Sequence, residues 1–259
     1  MFSTSRSVPS IRRSTTLRRA AVLSLGAGLL GATAAPATAA PATASTSFPA
    51  TRASAPAAAP TRTATAAARL VSRADIDGDG RADRTTIART TAHGDLAWRL
   101  TTRTARGRSS SVVVETPWLF GEPAWYGAAA LDGAPGAEIV VRSGFGAHTA
   151  MFRMFSWRGG RLVAQADPST GDAEWSTDGA LSVSKGYRFA TRRGVTTLTA
   201  SIYERDFSRN PNVMDGTVRT YTWRSGAWRA TSVHTGRVLD SSPHVANAYG
   251  WNATGLPRD

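Results

Sequence analysis

The sequence predicts an all-β domain of antiparallel meanders, closed as a barrel, packed as a sandwich or stacked as a reduced propeller, preceded by a disordered N-terminal region. Three observations lead there. Beyond residue 69, apolar and polar residues alternate, as where Leu96, Trp98 and Leu100 share a face, which is the period of a half-buried strand. Glycine turns separate runs rich in β-branched and aromatic residues, as in Ala150 to Trp157, Arg158-Gly159-Gly160 and Arg161 to Ala166, a hairpin pattern. Helical periodicity is nearly absent.

The chain of 259 residues opens with five arginines before residue 20, then the apolar run Ala20 to Leu30, then small residues ending in Ala37-Thr38-Ala39. That order predicts a secretory signal peptide over residues 1–39. The apolar run is too short for a stable membrane span, so no span is expected after cleavage. Residues 40–68 are dominated by Ala, Thr, Pro and Ser, a composition with too little apolar surface to offset the entropy of ordering, and they read as a flexible linker. The folded domain is expected over residues 69–259.

All 18 acidic residues lie beyond residue 70, with 23 of the 31 basic ones, so this part is only mildly basic. Its arginines are scattered singly, whereas a nucleic-acid reader clusters them on one face, and no nucleic-acid partner is expected. There is no cysteine, which excludes disulfide stapling. The last residues carry no hydrophobic tail, and a freely secreted, extracellular monomer is the simplest expectation.

The first element of the domain is the loop Asp75-Ile76-Asp77-Gly78-Asp79-Gly80-Arg81-Ala82-Asp83. Four carboxylates at its first, third, fifth and ninth positions repel one another unless a cation sits among them. Calcium fits best, being a hard cation that takes six to eight oxygens from a tight loop, with a backbone carbonyl at the seventh position. The expected ligands are Asp75, Asp77, Asp79, the carbonyl of Arg81, and Asp83. An EF-hand would need a bidentate Glu at position twelve, where this chain has Thr86. Zinc lacks its usual ligands, as neither cysteine nor histidine lies in the loop. A plain acidic Asp-Gly turn is the competing reading.

The pattern D-x-D-G-D-G-x-x-D followed by a β-branched run resembles the FG-GAP and VCBS repeats of integrin-like propellers and of many secreted bacterial proteins. The match covers Ala74 to Ile87, and it implies a calcium-binding β repeat without naming a partner.

Strands are then expected over Arg84 to Thr91 and Asp95 to Arg103 around His93-Gly94, and over Ser109 to Glu115, where Val112, Val113 and Val114 suggest burial on both faces. A second unit begins near Trp125. Laid over Asp75 to Asp83 without a gap, Ala130 to Glu138 keeps Asp132, Gly133 and Glu138 at the positions of Asp77, Gly78 and Asp83, while Ala130 and Ala134 replace two ligands. Residues 130–141 thus read as a degenerate, empty copy. A third unit, from Tyr187 to Thr235, carries the strand Val195 to Glu204 and the hairpin Arg219 to Arg229. The three units span about residues 70–120, 125–170 and 187–235.

Catalysis finds less support. His93, His148, His234 and His244 lie in separate segments, and no G-x-S-x-G or H-E-x-x-H motif is present. Ser182-Val183-Ser184-Lys185 matches S-x-x-K without its partner motifs, and Glu174 with Glu204 is a candidate glycosidase pair against the more ordinary reading of isolated surface glutamates. Trp118, Phe120, Trp125 and Tyr126 form an aromatic stretch that serves either as core or as a polysaccharide platform, and Gly144 to Thr149 reads as a tight turn. The expectation is a secreted, non-catalytic calcium-binding β domain, with a cell-envelope polymer or polysaccharide as the candidate partner. The alternatives are a secreted hydrolase with an unrecognised active site, or a polysaccharide-binding adhesion module.

Overall fold

The computed structural model describes residues 66–119 and 124–257. The expected signal peptide, residues 40–65 of the linker, and Phe120 lie outside the described residues. No helix among the described residues is long and apolar enough to cross a membrane.

Four strands, β1 (Arg69–Ser72), β2 (Arg84–Ala92), β3 (Asp95–Arg103) and β4 (Ser109–Glu115), form an antiparallel meander in chain order. The turn between β2 and β3 is His93-Gly94, both with positive φ, the geometry whose twist matches a two-residue hairpin. The next four strands repeat the order. They are β5 (Trp125–Ala129), β6 (Glu138–Phe145), β7 (Thr149–Arg158) and β8 (Arg161–Gln165), each antiparallel to its predecessor. Gly159 and Gly160, again both at positive φ, turn β7 into β8.

Pairing within the two first hairpins follows one scheme. In β1–β2, Leu70 faces Thr86 and Ser72 faces Thr85, so Val71 is bulged out. In β5–β6, Trp125 faces Val141 and Gly127 faces Val140, with Tyr126 bulged out.

The chain then runs through β9 (Glu174–Asp178), β10 (Val183–Arg192), β11 (Val195–Arg205), β12 (Val213–Arg224) and β13 (Ala227–Leu239). The last four are a continuous antiparallel meander that extends beyond both ends of the expected third unit. A short helix, α1 (Pro243–Ala246), leads to β14 (Gly250–Asn252), which adds to β10 in parallel.

These strands join β5 to β8 in one sheet of order β13-β12-β11-β10-β9-β7-β6-β5, with β8 on the far half of β7. The barrel among the expected architectures is therefore overturned. Among the described strands β13 and β5 end the path, and β1 to β4 form a separate sheet. Closure would require those ends to pair, and β13 and β5 do not pair with each other.

Two cores share the central strands. Ile139 and Val141 of β6, with Phe155 and Trp157 of β7, pack with Ile76, Leu100 and Val114 from the first sheet and its leading loop. On the other face Val140, Phe152 and Met154 pack with Trp175, Tyr187, Leu198 and Trp251. β6 thus lies between two apolar layers, which explains its unbroken run Ile139-Val140-Val141. The expected two-sided burial of β4 is corrected: Val114 is buried but Val113 is exposed, because successive side chains point to opposite faces and only the face of Val112 and Val114 packs on the core.

Candidate metal-binding loop

Residues 75–83 link β1 to β2, and two glycines at positive φ, Gly78 and Gly80, allow the sharp curl. Asp83 N–H donates to Ala74 O at 3.1 Å and closes the loop at its base. Ile76 points into the core at 1 % exposure, so the burial of one apolar side chain sets the loop's depth.

The carboxylates organise the backbone around themselves. Asp83, 2 % exposed, accepts from Ile76 N–H (2.8 Å) and Asp77 N–H (3.1 Å) through Oδ2, and from Ala105 N–H (2.8 Å) through Oδ1. Asp75 accepts from Gly78 and Asp79 through Oδ1 and from Gly80 through Oδ2. Such charge-assisted bonds are the stronger class, and they offset part of the repulsion among the anions. Asp77 receives less, with one long 3.3 Å bond from Asp79 N–H.

Three of the expected ligands converge. Asp75, Asp77 and Asp83 each present a carboxylate oxygen, all within 4.8 Å of one another. Asp79 does not join them: its Oδ1 accepts from Arg81 N–H at 2.9 Å, and Oδ2 lies 2.9 Å from Arg106 Nε. Arg81 is exposed at the rim. The strand after the loop, β2, is incompatible with an EF-hand, whose loop exits into a helix. A hard divalent cation is the kind of ligand this oxygen-only set could hold.

No protein-family model, curated protein or solved structure matches the chain.

The loop at 130–138 is built in the same way and sits against the first. Glu138 Oε2 accepts from Leu131 N–H (2.8 Å) and Asp132 N–H (3.1 Å), as Asp83 does from Ile76 and Asp77. Ala137 N–H donates to Asp75 O at 2.8 Å. Backbone meets backbone here: a Cβ on Gly136 would stand 2.5 Å from Ile76 O, and one on Gly78 would stand 2.6 Å from Pro135 Cβ. Burial, and then the charge of Asp132, pushes the Glu138 carboxyl up to about 7. Its neighbour Arg158 partly opposes this.

The candidate catalytic groups are not assembled. Lys185 Nζ donates to Ser176 Oγ at 2.7 Å rather than to Ser182, and an ammonium engaged as donor is no general base. Glu174 pairs in register with Arg153 and Glu204 with Asp215, on strands separated by β10. His93 pairs with Glu115 at 3.0 Å on the exposed edge, whereas His234 and His244 share a shallow cleft between β12, β13 and α1. Buried Asp167 accepts from Tyr187 Oη at 2.6 Å and from Ser169; burial first, then the Asp167 charge, raises the Tyr187 phenol well above its ordinary range. In the aromatic stretch Tyr126 is buried, Trp125 is half-buried and Trp118 is 59 % exposed. The contacts of Arg106 and Arg158 with the two acidic loops have no local signal in the sequence beyond the glycines beside them.

Proposed function

We propose that the protein is a secreted, non-catalytic calcium-binding β domain of the FG-GAP/VCBS type, in which the ion at residues 75–83 clasps the first sheet onto the second. The convergence of Asp75, Asp77 and Asp83 carries this reading. The matched bulges of β1–β2 and β5–β6 support the descent of both loops from one repeat. The clasp follows from the bond between Ala137 N–H and Asp75 O: an ion that fixes Asp75 also fixes what Asp75 holds.

Thermal unfolding in calcium and in chelator tests it. With a dissociation constant of about 0.1 mM, the tight end of the extracellular range, 1 mM calcium stabilises the fold by about 1.4 kcal/mol. The midpoint then rises by a few degrees, at roughly 2 to 4 °C per kcal/mol. Asp77→Asn, which keeps the side-chain shape and removes a charge, should abolish the rise. An unchanged wild-type midpoint and no heat of calcium binding would end the proposal.

The exposure of Trp118 favours one second reading, in which the domain docks an envelope polysaccharide through this ring. Affinity electrophoresis in gels cast with cell-wall polysaccharide should then retard the wild type and not Trp118→Ala; equal mobility refutes it.

A further inference from the structure

We infer that the guanidinium of Arg158 is the resident cation of the second acidic loop, built into the chain at the place where the first loop would hold its ion. The comparison with an ion rests on the calcium reading of residues 75–83, but the role of Arg158 does not.

The loop at 130–138 keeps the backbone cage of its counterpart, with Glu138 gathering two amides and Leu131 wholly buried below it. It has lost two carboxylates to Ala130 and Ala134. The remaining Asp132 and Glu138 are both buried, with side chains only 1 % exposed. Two carboxyls removed from water in one loop require a counter-charge wherever they ionise. Arg158, at the end of β7, provides it: Nη2 lies 2.5 Å from Asp132 Oδ2 and 3.6 Å from Glu138 Oε1.

The arginine is itself held. Its Nη1 donates to Trp157 O at 2.8 Å, and its guanidinium lies 5.9 Å from the ring centroid of Trp223 on β12. Trp223 in turn presses on Gly133, where an added Cβ would come within 2.5 Å of the indole. A divalent cation would need six or more oxygens, and this loop retains two carboxylates. A guanidinium needs only acceptors for a planar fork, so a loop that has lost half its carboxylates suits arginine better than calcium. An ordinary surface ion pair contributes little; here both acceptors are out of water.

The test is a double-mutant cycle on the full chain, by urea unfolding in EDTA, so that any ion at the first loop is absent. Arg158→Ala should raise the unfolding equilibrium constant about 100-fold or more, as expected when one partner of a buried pair is removed. Adding Asp132→Asn to Arg158→Ala should recover at least about tenfold of that loss, because the orphaned charge is gone. A single variant as stable as wild type overturns the inference, and so does a double variant no better than the single, which would assign Arg158 to packing on Trp223. Should Arg158→Ala yield no folded protein, the double variant decides alone: folded supports the inference, unfolded overturns it. A failed calcium titration of wild type would leave this cycle untouched.

Discussion

At the scale of single residues, the two acidic loops share a backbone scheme, in which Asp83 and Glu138 each gather two amides from the start of their loop. The four aspartates were legible because their spacing has few other uses. That Asp79 turns toward Arg106 was not, since the turn between β3 and β4 is brought to the loop only by folding. The second loop makes a measurable consequence. Burial, and then the charge of Asp132, pushes the Glu138 carboxyl from 4.5 up to about 7, and the facing guanidinium opposes this only in part. A group whose folded pKa is raised binds its proton more tightly in the native state, so its stabilising contribution is complete below about pH 4.5 and is lost as pH rises through about 7. Subtracting the urea stability of Glu138→Gln from that of wild type isolates this carboxyl. The difference should fall between pH 4.5 and 7.5, by at most about 1.4 kcal/mol per pH unit for one proton. A difference that is flat or rises with pH would contradict it.

At the scale of elements, hairpins were legible at glycine turns between two apparent strands, and Gly94, Gly160 and Gly226 all occupy positive φ at such turns, whereas the turn at Gly194 was not read. What escaped was set by distant partners. β9 and β14 are short strands held by pairing with β7 and β10, and nothing local in Gly250-Trp251-Asn252 specifies a parallel strand. The valine run of β4 and the Ile-Val-Val run of β6 look alike in sequence, and only the packing of one face in β4 and of both in β6 separates them. The contact between the loops can be tested through glycines. Gly136 and Gly80 both have positive φ, but an added Cβ on Gly136 meets Ile76 O at 2.5 Å, whereas one on Gly80 meets nothing within 4 Å. Both alanine variants carry the backbone strain, of order 1 kcal/mol. Gly136→Ala should cost at least about 1 kcal/mol more than Gly80→Ala, and it should also shrink the calcium-dependent rise in midpoint. Equal losses in the two variants would mean that the loops need not touch.

At the scale of the whole molecule, alternation and composition were enough for an all-β domain, but closure was not legible, because whether a path of strands meets itself depends on twist accumulated over many pairings. The open path places the acidic loop and the aromatic core on opposite sides of β6. Ile76 belongs to the layer under the first sheet, and Trp251 belongs to the other, packed among Phe152, Trp175, Tyr187 and Phe189 with ring centroids 5.2 to 5.7 Å away. This separation predicts that the two contributions to stability are independent. Trp251→Ala removes a buried indole and should cost about 3 to 5 kcal/mol, lowering the unfolding free energy equally in calcium and in chelator. The calcium increment depends on affinity and free ion concentration alone, so it should persist in that variant as long as the fold does. Asp77→Asn should do the reverse, removing the increment while leaving the chelated protein near wild type. Loss of the calcium increment in Trp251→Ala would show that the loop is assembled only when the distant core is intact, and would place the clasp under the control of the whole sheet.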